Sequence, residues 1–128
     1  LLNEWWTYAG FVWNNRGNAL SNLGRYEEAV ASYDKAVEIK PNDEEAWYNR
    51  GDALSNLGRY EEAVASYDKA IEIKPNDEEA WYNRGDALSN LGRYEEAVAS
   101  YDKAIEIKPD YQDAWDGRGN ALRNLGRN

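Results

Sequence analysis

Carboxamides, carboxylates and phenols recur through this chain at one fixed step. Asn15, Asn49 and Asn83 stand 34 residues apart, as do Tyr48 and Tyr82, and Asp52 and Asp86. An Asn amide carries both a donor and an acceptor, so it can pair with a peptide unit whatever that unit's side chain. Tyrosine, where exposed, is a rigid contact residue. This is chemistry for holding a partner. Bond-making chemistry has little to work with: there is no His and no Cys, and the Ser, Tyr and Asp positions recur by period instead of converging on one site, which argues against an enzyme. Asn76, Asp77, Glu78 and Glu79 form a run of oxygen donors without the spacing of a calcium loop. Helix capping accounts for them better, and neither a metal nor a cofactor is implied.

The step that repeats these residues repeats their surroundings as well. The stretch from Trp47 to Pro75 occurs again unchanged from Trp81 to Pro109, and Trp13, Trp47, Trp81 and Trp115 keep the same interval. Such a period means stacked supersecondary units, each unable to bury its apolar side alone. Within a unit, Trp47, Gly51, Leu54 and Leu57 are spaced as the stripe of an amphipathic helix. Asn42 is its expected N-cap, with Glu45 three residues on and Asp43 and Glu44 putting negative charge in the first turn. Gly58 is the expected left-handed residue past its end. A second helix is predicted from Tyr60 to Lys74, stopped by Pro75, and the short Gly58–Arg59 connection sets the two antiparallel. Helices of about 14 residues are marginal alone, so stability must come from packing. Gly51 and Ala63 lack bulk where paired helices approach, and Trp47 and Tyr67 are expected to fill the space between one hairpin and the next.

Leu1 to Val12 departs from the period. Thr7 stands where Pro belongs, whereas Leu2, Trp6, Ala9, Trp13, Gly17 and Leu20 extend the first helix's inward stripe backwards. The spacing predicts one long helix from about Leu2 to Leu23 whose first turns project past the stack. Leu2, Trp5, Trp6 and Tyr8 would then belong to an exposed apolar patch, the usual mark of an interface. A cap folded over the first unit is one reading. Self-association is the other, the projection covering the closing helix of a second copy in a swapped dimer or a head-to-tail fibre.

The order Trp47, Gly51, Leu54, Ala63, Tyr67, Ala70, Pro75 resembles the tetratricopeptide repeat, whose pattern runs Trp, Leu-Gly, Tyr, Ala, Phe, Ala and Pro. The resemblance covers residues 10 to 128 and implies an all-α, right-handed solenoid of antiparallel hairpins. In the family's frame, residues 1–9 are a helical extension. Repeats run from Gly10 to Asp43, Glu44 to Asp77 and Glu78 to Tyr111, and Gln112 to Asn128 is a closing helix. Leu54 replaces the usual Tyr. Arg50, with Arg16, Arg84 and Arg118, replaces the usual Leu and leaves a charge near the packed face that must snorkel or find an acid, for which Asp68 is the expected partner.

The resemblance also implies a concave groove lined by the first helices. By offset from the signature Trp its positions are Phe11, Asn14, Asn15, Asn18, Ser21 and Asn22 in repeat one, then Glu45, Tyr48, Asn49, Asp52, Ser55 and Asn56. Repeat three supplies Glu79, Tyr82, Asn83, Asp86, Ser89 and Asn90, and the closing helix Asp113, Asp116, Asn120, Arg123 and Asn124. The Asn15, Asn49, Asn83 ladder is similar to the one by which O-linked N-acetylglucosamine transferases hold extended peptides. Chaperone-binding members clamp a C-terminal carboxylate with Lys and Arg on these faces. Tyr, Asp and Glu stand there in this chain, so neutral or basic peptides are the expected ligands.

Composition narrows the partners. The net charge is −9, and Glu44 to Asp77 alone carries eight acids against four bases. A chain this acidic, with no basic stripe, is unsuited to a phosphate backbone. No run of about 20 apolar residues suggests a membrane span, and absent Cys is compatible with the cytoplasm. Verbatim repeats without His or Met suggest a designed, consensus-like or recently duplicated scaffold. Proteins, peptides or a second copy of the chain are the expected partners.

Overall fold

The computed structural model describes residues 2–126, with side chains from Glu4 onward. Seven helices make up these residues: α1 (Leu2–Asn22), α2 (Tyr26–Ile39), α3 (Glu44–Asn56), α4 (Tyr60–Ile73), α5 (Glu78–Asn90), α6 (Tyr94–Ile107) and α7 (Gln112–Asn124). Each packs on the next in order, and the odd-numbered helices also touch one another along one side. The result is a right-handed stack of antiparallel hairpins with an inner layer of odd helices, the one-dimensional architecture in which a unit is held by its neighbours. Among the described residues, no helix is long and apolar enough to cross a membrane.

Local sequence signals account for the turns. Gly58 takes φ +74°, a region open to Gly at little cost. Its N–H donates to the Ser55 carbonyl at 3.0 Å while Arg59 N–H reaches back to Leu54 at 2.9 Å, the paired bonds of a Schellman C-terminus. The N-cap lies one residue later than expected. Asp43, not Asn42, caps α3, accepting from the Ala46 N–H at 3.4 Å, and Asp77 caps α5 through Glu79 and Ala80. Asn42 and Asp43 are both cap types, and the aspartate carries the charge that the helix N-terminus favours.

The core is a chain of tyrosines. Tyr33, Tyr67 and Tyr101 are each 1 % exposed, and a Cβ built on Gly51 would lie 2.6 Å from the Tyr67 ring. Gly51 therefore makes the hole that Tyr67 fills within its own hairpin. The next hairpin closes over the same type of ring: a Cβ on Gly117 of α7 would lie 2.6 Å from Tyr101. The signature Trp residues instead sit at the edge, Trp47 and Trp81 half-buried and Trp115 exposed. Trp47, Trp81 and Trp115 donate from Nε1 to the carbonyls of Pro41, Pro75 and Pro109 at 2.7, 2.9 and 2.8 Å, which ties each loop to the helix it enters. The guanidinium of Arg50 lies 5.8 Å from the Trp47 ring centroid, within cation–π range.

Trp13 stacks under Arg16 in the same way, but Thr7, at the place of the proline, lies inside α1, where its carbonyl serves the helix's own hydrogen bonds. Trp81→Ala is therefore expected to cost about 1 kcal/mol more than Trp13→Ala in urea melts, the net worth of one hydrogen bond beyond shared packing. Equal losses would show that the loop tie contributes nothing.

The arginine that replaces the family's Leu finds its acid one unit earlier than expected. Arg50 Nε donates to Asp34 at 2.7 Å, and Arg84 takes Asp68 at 2.6 Å. Arg50 and Arg84 also donate to the buried hydroxyls of Ser66 and Ser100. Each guanidinium thus bridges two successive second helices on the convex side. Asp34 and Asp68 are half-exposed, so these bonds fix hairpin orientation more than they add stability.

Candidate peptide-binding groove

The inner layer positions the side chains expected to line the groove, and the tyrosine chain reaches through to them from behind. Tyr67 donates its hydroxyl to Asp52 Oδ1 at 2.5 Å, and Tyr101 donates to Asp86 Oδ1 at 2.5 Å. In the first hairpin Tyr33 donates to Asn18 Oδ1 at 2.6 Å. A fully packed phenol thus holds one groove acceptor in each hairpin. Sequence reading passed over this function of Tyr33, Tyr67 and Tyr101. The available signal was the constant separation of 15 residues between each groove Asn or Asp and its Tyr.

Burial comes first among the influences on these acids. It pushes the Asp52 carboxyl up to about 6, with Glu79 and Asp77 adding repulsion and the Tyr67 hydrogen bond opposing. Asp86 is raised for the same leading reason, with the hydroxyls of Tyr101 and Tyr82 pulling the other way. Burial also raises Tyr48, Tyr67 and Tyr82, so these phenols remain neutral donors at physiological pH.

The asparagine ladder is partly engaged within the protein. Asn49 is half-buried and donates to Asn18 Oδ1 at 3.1 Å and Asn14 Oδ1 at 3.4 Å. Asn83 donates to the Tyr48 hydroxyl at 2.7 Å, while Asn15 is exposed. Asn14, assigned to the open groove by offset, is only 4 % exposed and donates to Glu45 at 3.2 Å. These amides join consecutive first helices, and the fourth rung is Gly117. Asn120 is exposed and accepts from Arg123 of its own helix. Tyr48 is engaged as well, donating to Glu79 at 3.4 Å, so the groove tyrosines offer a partner their rings more than their hydroxyls.

Two clefts follow from this arrangement. One, of about 380 Å³, includes Asn18, Tyr33, Glu45, Asn49 and Asp52 in its lining. The other, of about 290 Å³, includes Tyr82, Asp86, Tyr101, Asp113, Asp116 and Asn120. At this second cleft the Tyr82 ring lies 5.1 Å from Tyr111 and 5.9 Å from Tyr101, centroid to centroid. Tyr111 replaces the capping Asp of the other hairpins and so extends the aromatic wall. Among the described residues, no group of three or more His, Cys, Asp or Glu side chains is placed to hold a metal ion.

A family model described as TPR repeat matches residues 17–58 and 51–92, and one described as tetratricopeptide repeat matches residues 78–111. The chain belongs to the tetratricopeptide-repeat family. No curated protein sequence matches it significantly. Several solved tetratricopeptide-repeat domains share its fold. The first TPR of Spaghetti (RPAP3), bound to the HSP90 peptide SRMEEVD, is 24 % identical with a TM-score of 0.90 over 94 % of this chain and 95 % of that one. The Arabidopsis OM64 TPR domain is 25 % identical with a TM-score of 0.88, covering 92 % and 98 %. The Sgt2 TPR domain from Aspergillus fumigatus is 25 % identical with a TM-score of 0.84, covering 91 % and 79 %.

Of the residues expected to self-associate, Trp5, Trp6 and Tyr8 lie exposed on the projecting start of this tetratricopeptide array, and the side chain of Leu2 lies outside the described residues. A Cβ on Gly10 would meet Ile39 and Lys40 at the end of α2, 3.6–3.7 Å away. The turns of α1 before Gly10 extend past that end.

Proposed function

We propose that this chain is a non-catalytic protein-interaction module whose concave face receives an extended, basic segment of a partner protein. The observation that carries the reading is the pair Asp52 and Asp86, one repeat apart, each held by a buried tyrosine hydroxyl and accompanied by Tyr48 and Tyr82. Glu45, Glu79, Asp113 and Asp116 add negative charge along the same positions, against the single Arg123. A Lys or Arg side chain meets carboxylates already oriented, and the tyrosines supply apolar area for its stem. An acidic peptide of the kind bound by the first TPR of Spaghetti would meet repulsion here. The two identical central repeats offer one contact twice, which supports reading the chain as a consensus-like or designed scaffold.

Calorimetric titration tests this. An extended peptide with lysines spaced to meet successive repeats is expected to bind, more weakly as salt rises, and an acidic C-terminal peptide to give no heat. The double variant Asp52→Asn, Asp86→Asn is expected to weaken the basic peptide at least tenfold, since each charged contact is worth about 1 kcal/mol or more. Its fold should survive, because Asn18 already accepts from Tyr33 in the same geometry. Tight binding of the acidic peptide, or an unchanged affinity in the variant, would overturn the reading.

A second reading rests on a different observation. Trp5, Trp6, Tyr8 and Phe11 are 49–66 % exposed on the start of α1. We infer that this patch is a self-association surface, separate from the groove.

A further inference from the structure

Resting on that self-association reading, we propose a specific geometry: two copies pair symmetrically, α1 against α1 and antiparallel, about a two-fold axis near Tyr8. Trp5, Tyr8, Phe11 and Val12 share one side of the projecting helix, and all four are exposed. Glu4, Thr7, Tyr8 and Phe11 line a shallow groove of about 450 Å³ on the same side. With the axis at Tyr8, Trp5 of one copy faces Phe11 of the other, so each copy supplies both the inserting ring and the groove that receives it. Such a contact is isologous and closes at two subunits.

Area and charge select this occupant. Fully covered aromatic side chains bury about 150–250 Å² each, so the four side chains at these exposures offer roughly 450 Å² per copy. With Thr7 and the stem of Glu4 the pair reaches about 1,000 Å², the level at which specific interfaces separate from incidental ones. The chain carries a net charge of −9, yet Glu4 is the only charged residue among its first fifteen. The two copies therefore meet where their mutual repulsion is least. The head-to-tail alternative would instead bury the side of α7 that carries Trp115, Gly119 and Leu122, the equivalents of Trp47, Gly51 and Leu54 two repeats on, in a heterologous contact that does not close at two subunits.

The test uses the whole chain, which lacks cysteine. Sedimentation should show a reversible monomer–dimer equilibrium with nothing larger. A Thr7→Cys variant treated with a short bismaleimide should give one covalent dimer, because Thr7 of each copy lies beside the axis. Tyr8→Glu should weaken the dimer roughly thirtyfold, the loss expected of a central aromatic anchor, while the urea melt of the repeats stays unchanged. A dimer that gives no Thr7→Cys cross-link and is dissociated by Trp115→Asp would overturn the symmetric geometry while self-association itself stands. A chain that stays monomeric at several hundred micromolar would overturn both and leave the patch to a different protein.

Discussion

Tyr67→Ala is expected to destabilise the array by about 4 kcal/mol, the range found for removing a fully packed aromatic side chain. The ring is 1 % exposed, sits in the hole made by Gly51 and joins the two helices of the middle hairpin, on which both outer hairpins stack. It also leaves the Asp52 carboxylate without the hydroxyl at 2.5 Å that supports it. Because a stack is stabilised by nearest-neighbour contacts, the variant's urea unfolding should broaden or split as its two ends melt separately. Two companions separate the causes. Tyr67→Phe keeps the ring and should lose about 1 kcal/mol, the worth of one hydrogen bond. Gly51→Ala keeps the tyrosine but forces a Cβ to within 2.6 Å of the ring, and overpacking of that kind costs about 1–3 kcal/mol. A loss below about 1.5 kcal/mol for Tyr67→Ala would mean that the ring is not what joins the two helices.

Before any coordinates, periodicity alone makes the hairpins legible, because their signals are local. Gly58 past the end of α3, the acids opening it and Pro75 after α4 each act within a turn of the chain. What stayed hidden needed knowledge of which side of a helix faces its neighbour. Trp47 and Tyr67 both fit an inward stripe, yet Tyr67 is the packed ring and Trp47 a half-buried edge. The choice depends on Gly51, 16 residues before Tyr67, forming a hole that spacing within either helix does not reveal. Arg50 likewise had acids at nearly equal separations before and after it, Asp34 and Asp68. Only the direction in which hairpins stack selects Asp34. In the groove, the offsets placed Asp52 and Asp86 correctly beside the inner layer. They could not show that Asn14 is buried or that Asn49 and Asn83 use their amide hydrogens on the preceding hairpin.

Stability should rise, not fall, as the solution is acidified from pH 8 to about 5.5. Glu44 opens α3 and faces Asp77, the cap of α5. Burial first, then the hydrogen bond and the negative charge of Asp77, lift its carboxyl to about 7, with Glu45 adding to the repulsion and Lys74 relieving part of it. Asp52 stands at about 6. Both lie above the ordinary carboxylate range of the unfolded chain, so the folded state binds protons more readily between the two limits. Linkage then makes their contribution fully present below about pH 4 and lost as pH rises through 6 and 7. The exposed carboxylates paired with arginine, Glu28, Glu62 and Glu96, are shifted the opposite way, and what they contribute disappears only at pH values below that window. Discounted for solvent near these half-exposed groups, the gain should be about 1–2 kcal/mol, a rise in melting midpoint of several degrees. Acidification also relaxes the general repulsion of a chain at −9, and variants separate the two effects. Glu44→Gln should raise stability at pH 8 by about 1 kcal/mol and remove most of the slope near 7. Asp52→Asn should flatten the part near 6, keeping its acceptor for Tyr67. A slope that survives the double variant would assign the effect to overall charge, and a midpoint that falls steadily from pH 8 to 5.5 would show that neither carboxyl is held in its costly, charged form by the stacking of the hairpins.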